Sequence, residues 1–83
     1  MTEREDHHLV GIHIHNRMEQ AVKVQRLLTD YGTSIKTRLG LHETGAGNGL
    51  IILEMVDESQ IASLASALNE LEGVEAQRMT FTH

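Results

Sequence analysis

His13 and His15 stand two residues apart in the run GIHIH, residues 11–15. Successive side chains of an extended strand point to opposite faces, so the two imidazoles share one face and Ile12 and Ile14 the other. Imidazole is a ligand for nickel, zinc and copper. Two rings at this spacing can address one ion, with His42 or symmetry-related copies completing the shell. Association about a two-fold axis turns two histidines into four. Two ligands are only half of a tetrahedral site, however, and the pair by itself favours the plainer reading of a polar patch in an interface or facing solvent.

The remaining chemistry-bearing residues are scattered. His7 and His8 fall in or beside a charged leader and His83 is the terminal residue, so each would lose conformational freedom before ligating anything. The glycines of GAGNG, Gly45, Gly47 and Gly49, invite a phosphate reading. A phosphate cradle needs a strand entering and a helix leaving, and this loop joins strand to strand, as a hairpin does. Arg17, Arg38 and Arg78 could gather near the sheet edge to grip a carboxylate or phosphate, or make ion pairs with Glu43, Glu54 or Glu75. Catalysis has little to stand on. There is no cysteine, and Ser34, Ser59, Ser63 and Ser66 sit at turns or on helices without an activating motif. The one acid–base pairing to consider is His13 with Glu54 from an adjacent strand, as in a small α+β-barrel-like enzyme.

The elements that must hold these residues follow from the hydrophobic pattern. Residues 1–7 are too polar to pack and read as a disordered leader, leaving residues 8–83 as a single domain. From His8 to His15, Val10, Ile12 and Ile14 alternate with Leu9, Gly11, His13 and His15, a strand with one buried face. Asn16 and Glu19 form a capping-box pattern. Ala21, Val24, Leu28 and Tyr31 continue as a helical stripe broadened by Val22 and Leu27, and Gly32 ends the helix. In residues 34–43, Ile35, Thr37, Leu39 and Leu41 alternate with Lys36, Arg38, Gly40 and His42. TGAGNG is a loop. The following LIILEMV is too apolar for a strand with one wet face: with Ile51, Leu53 and Met55 inward, Leu50, Ile52 and Glu54 need a cover of their own. Asp57 or Ser59 caps a second helix with Ile61, Leu64, Ala65, Leu68 and Leu71 on one stripe, closed by Gly73. The final strand has an unresolved phase, because Val74 and Ala76 differ in parity from Met79 and Phe81.

The order β-α-β-β-α-β is the ferredoxin-like arrangement, an α+β fold with two helices on one face of a four-stranded antiparallel sheet and the other face bare. Composition narrows the function. Eighty-three residues without cysteine make a thin core that no disulfide supplements, so homo-oligomerisation is the expected support. A formal charge of −5 and only two aromatic residues, Tyr31 and Phe81, oppose direct nucleic-acid binding. No apolar run reaches membrane-spanning length and the N-terminus lacks the pattern of a signal peptide, so a cytoplasmic protein is expected.

With this pattern in place, the chain resembles the small ACT-like proteins described as regulators of the iron-only hydrogenase system. The resemblance runs over residues 9 to about 79 and is carried by VGIHIHNR (10–17), LLTDYGTSIKTRLGL (27–41), LIILEMVD (50–57) and LEGVEAQ (71–77). Such proteins are similar in fold to the nickel-binding C-terminal domain of the NikR repressor, which implies a dimer or tetramer built through the sheets. This chain departs from NikR in having no cysteine and in carrying its H-x-H pair on the first strand, with only His42 on the second. The nickel ligands therefore do not carry over. True ACT domains bind amino acids at a glycine-bearing turn between first strand and first helix, and this turn reads HNRME. The resulting expectation is a non-enzymatic regulatory or ligand-sensing oligomer that acts through assembly, a small ligand or a partner protein. A transition-metal module using His13, His15 and His42 with nickel, zinc or copper is the alternative.

Overall fold

A computed structural model describes residues 6–15, 17–42 and 49–82, with the side chains of 17–19 and 42 outside that description. The elements are β1 (His7–Ile14), α1 (Arg17–Asp30), a short 3-10 turn (Gly32–Ser34), β2 (Ile35–His42), β3 (Gly49–Met55), α2 (Glu58–Asn69) and β4 (Val74–Phe81). The four strands form one antiparallel sheet in the order β2-β3-β1-β4, the expected ferredoxin-like topology. β1 and β3 are therefore central, and β2 and β4 are the edges.

One face of the sheet carries the core. Val10, Ile12 and Ile14 of β1, Ile51, Leu53 and Met55 of β3, and Val74 and Ala76 of β4 meet Val24 and Leu28 of α1. Ile61, Leu64, Ala65 and Leu68 of α2 join the same cluster, so both helices cover the same face. The alternation read in the sequence for β1 and β3 is the one observed. On α1 the stripe is narrower than expected: Val22 is 68% exposed, because it points away from the line through Val24 and Leu28.

Three expectations change. His7, placed with the leader, belongs to β1 with His8, because β4 extends far enough to pair both: His7 with Phe81 and His8 with Thr80. Residues 1–5 of that leader lie outside the described residues, as do Asn16 and the Glu19 side chain of the capping-box pattern. Gly32 does not cap α1 directly; the helix ends at Asp30 and Gly32 opens the 3-10 turn, in which the Ser34 N–H donates to the Tyr31 carbonyl at 3.0 Å. In β2 the register shifts between Ile35 and Thr37, a β-bulge. Ile35 accordingly packs against the core while Thr37, Leu39 and Leu41 point to the bare face, so the four do not share one side.

Asp57 is the cap of α2, accepting the Ser59 N–H at 3.1 Å and the Ser59 hydroxyl at 2.8 Å. The Ser59 hydroxyl bond, opposed by desolvation, holds the Asp57 carboxyl below its ordinary range. α2 ends at Asn69, and Gly73, with φ at 78°, turns the chain into β4. The Gly73 carbonyl accepts the His15 N–H at 2.7 Å, tying the end of β1 to the start of β4. Asn69 reaches back to the sheet: its Nδ2 donates to the Ala76 carbonyl at 3.2 Å and its Oδ1 accepts the Ala76 N–H at 2.8 Å.

Candidate functional site

The unbroken β1–β4 register, from His7–Phe81 to Ile14–Val74, resolves the phase of the last strand without a bulge. Val74 and Ala76 face the core, and Met79 and Phe81 lie on the helix-free face. Cross-strand partners in an antiparallel sheet project to the same side. The bare face therefore reads in rows: Leu41, Leu50, His13 and Glu75; then Leu39, Ile52, Gly11 and Gln77; then Thr37, Glu54, Leu9 and Met79. Leu39 and Met79 are each 56% exposed and Phe81 53%. This is a largely apolar surface with polar groups at His13 and Glu75 on one side and Glu54 on the other.

His13 and His15 do come together, with ring centroids 4.4 Å apart and planes at 87°. His13 is half-buried on the bare face; His15 lies just past the end of β1 and is exposed. The lone pairs of an imidazole lie in its plane, so rings meeting edge to face do not aim at one point, and chelation requires one of them to turn. Glu75 is the cross-strand partner of His13, and the Gln77 side-chain amide donates to its Oε2 at 2.8 Å. His42 pairs in the backbone with Gly49, whose β1 partner is Ile14, and all of β3 separates its strand from His13. The His42 side chain lies outside the described residues. Among the described residues no group of three or more histidines, cysteines or carboxylates is placed to hold a metal ion.

The acid–base pairing of His13 with Glu54 does not form. Glu54 sits opposite Leu9 and His13 opposite Leu50, four residues apart along the strands. Glu54 instead meets His7, whose Nδ1 donates to Oε2 at 2.8 Å. The hydrogen bond from His7, aided by the charge of Lys36 and opposed by desolvation, keeps the Glu54 carboxyl below its ordinary range. His8 turns to the other side and hydrogen-bonds with Thr80 Oγ1 at 3.2 Å. Two histidines adjacent in sequence thus serve opposite faces.

Nor do Arg38 and Arg78 gather. Arg38 and Arg78 occupy the same row but on opposite edge strands. Arg38 Nη2 donates to Gln25 Oε1 on α1 at 2.6 Å, and the Arg17 side chain lies outside the described residues. Of the GAGNG loop only Gly49 is described, as the first residue of β3; Glu43 and residues 44–48, like His83, are outside. Of the four serines, Ser59 serves the α2 cap and Ser63 shares a 2.6 Å hydrogen bond with the Tyr31 hydroxyl. The contacts His7 with Glu54 and Arg38 with Gln25, which the sequence did not disclose, join residues 47 and 13 positions apart; strand register sets the first and the docking of α1 on the sheet the second.

Comparison with known proteins places this architecture. A family model, TM1266-like, described provisionally as an iron-only hydrogenase system regulator, matches residues 7–78. No curated protein sequence matches. Among solved structures, the uncharacterized protein TM1266 from Thermotoga maritima superposes with a TM-score of 0.84 at 21% identity, covering 95% of this chain and 99% of that one. CPII from Thiomonas intermedia K12, a nitrogen regulatory PII-like protein bound to ADP, AMP and bicarbonate, gives a TM-score of 0.69 at 12% identity, covering 98% and 96%. A protein from Thermus thermophilus, described provisionally as a PII-like signaling protein, gives 0.63 at 14%, covering 99% and 93%. At these identities the likeness is one of fold.

Proposed function

We infer, from the premise that the chain belongs to the TM1266-like family of iron-only hydrogenase system regulators, that it is a non-enzymatic regulatory domain. On this reading it works in the cytoplasm as an ACT-like homo-oligomer assembled through the bare sheet face. The observation that carries the reading is that face, where Leu39, Met79 and Phe81 remain more than half exposed beside Leu50 and Ile52. A contiguous apolar surface of this kind marks an association site. A dimer or tetramer stacked through the sheets, in the NikR-like manner, covers it, and a regulatory partner protein is the other occupant it suits. The description of two fold neighbours as PII-like regulatory or signaling proteins agrees with a regulatory role. The net charge of −5 supports action without direct nucleic-acid contact. Among the described residues no helix is long and apolar enough to cross a membrane. Sedimentation equilibrium of the tag-free protein is expected to give twice or four times the 9.3 kDa chain mass. A 9.3 kDa species at every concentration removes the assembly from the reading.

A second reading rests on the 4.4 Å approach of His13 and His15. With one ring turned, the pair offers two imidazole nitrogens to nickel, zinc or copper, and a two-fold partner supplies the other two. His42 belongs to this reading only if assembly brings it to the pair. Calorimetric titration of chelator-treated protein with each ion is expected to show submicromolar binding at a fixed ratio per oligomer. The His13→Ala, His15→Ala double variant should lose it. Binding that the variant keeps would make the pair part of an interface and nothing more.

A further inference from the structure

We propose that the cleft between α1 and the β2–β3 half of the sheet binds a small carboxylate with a short aliphatic chain, its carboxyl group held by Arg38. The site lies mainly on the helix side of the sheet, and Leu41 and Leu50, whose side chains turn to the other face, also border it. Gly40 pairs with Ile51 and Ile51 with Ile12, both core residues, so position 40 faces the helices without a side chain to fill the space. Gly49 repeats the omission in the next row, and among the described residues Ala21 and Gln25 are what α1 contributes to the lining. The result is a cleft of about 250 Å³ lined by Ile14, Ile51 and the two glycines, with Gln25 and Arg38 at its edge. Among the described residues, its chain neighbours aside, a Cβ on Gly40 would meet no atom within 4 Å, which measures the opening from the backbone outward.

Arg38 gives the cleft its preference. Its Nη2 donates to Gln25 Oε1 at 2.6 Å, which places the guanidinium at the exposed rim. Among the described residues no carboxylate pairs with it, so its remaining N–H groups are available to a planar anion in the bidentate geometry that guanidinium favours. The chain carries a net charge of −5, so nothing draws anions to the molecule from a distance, and selectivity rests on this contact. The apolar floor adds burial for a hydrocarbon tail, which inorganic phosphate cannot use. At about 250 Å³ the space is just below the usual range for ligand cavities and suits an acid of about six carbons. The cleft lies within one chain, and its occupancy does not depend on the proposed assembly.

The test is an amide NMR titration of the full chain with isocaproate, and with the neutral isostere isocaproamide. Saturable shifts centred on Ala21, Gln25, Gly40 and Gly49 are expected with the acid, and binding of the amide weaker by about tenfold or more. Arg38→Gln should lose a similar factor with the rest of the spectrum unchanged. Gly40→Val fills the cleft from a position with no neighbour within 4 Å, in a strand that suits β-branched residues, and should remain folded while losing the acid. Equal affinity for acid and amide, full binding by either variant, or no saturable shift at about 10 mM acid overturns the proposal. None of these outcomes alters the mass of the protein in solution, so failure here is separable from failure of the assembly.

Discussion

Ile52→Asp is expected to leave the protein a folded monomer of 9.3 kDa. Ile52 sits in the central strand β3, in register with Leu39 on one side and Gly11 on the other. A Cβ added to Gly11 would meet Ile52 Cδ1 at 3.7 Å, so the isoleucine already leans over the gap that the glycine leaves. It points away from the helices and contributes nothing to the buried cluster, and the fold should tolerate its loss. In a two-fold interface each substitution occurs twice. Each copy loses the burial of an isoleucine, about 1.5–3 kcal/mol, and buries an unpaired carboxylate besides. A combined effect of about 4 kcal/mol corresponds to about a thousandfold in the dissociation constant. Sedimentation equilibrium of variant and parent side by side decides the matter: equal masses would mean that the sheet face is not where copies meet.

Leu53→Ala, one position along the same strand, should act on folding instead. Leu53 is fully buried, paired with Val10 of β1 and lying under both helices. Truncating such a leucine removes its transfer energy and leaves a cavity, about 2–5 kcal/mol together. A chain of 83 residues ordinarily holds about 4–12 kcal/mol in all. The variant is expected to lose about half its stability, seen in urea as a lower midpoint with an unchanged slope. A loss below about 1 kcal/mol would show that the core around β3 can collapse onto the space. Neighbouring residues of one strand thus separate assembly from folding.

That separation was legible in the sequence, because the alternation of LIILEMV assigns Ile52 and Leu53 to opposite faces whatever the strand pairs with. The same logic failed in β2. A bulge between Ile35 and Thr37 is a pairing irregularity, and no residue type in SIKTR announces it, so plain alternation sides Ile35 with Leu39 although it belongs to the core. In β4 the residues conflicted in parity. The structure resolves the conflict by leaving Met79 and Phe81 on the uncovered face, an arrangement sequence alone cannot choose over a bulge. Candidate chemistry was less legible still. His13 and His15 are local, and their proximity could be read directly; the partner of Glu54 could not. Which histidine of β1 meets it depends on strand register, and register places His7 there and His13 four residues away.

The carboxamide of Asn69 has a consequence for how copies of this chain can multiply. β4 is the outermost strand on its side, and the main-chain N–H and C=O of Ala76 point outward, where another strand would otherwise take them as a template. Asn69 engages both at once, imitating the peptide unit of an incoming strand. Growth by strand addition has no natural end, because each added chain presents a fresh flank, and it leads toward fibres. Stacking through a face about a two-fold axis is self-limiting. By occupying the flank of β4 at Ala76, the end of α2 disfavours open-ended growth along that edge.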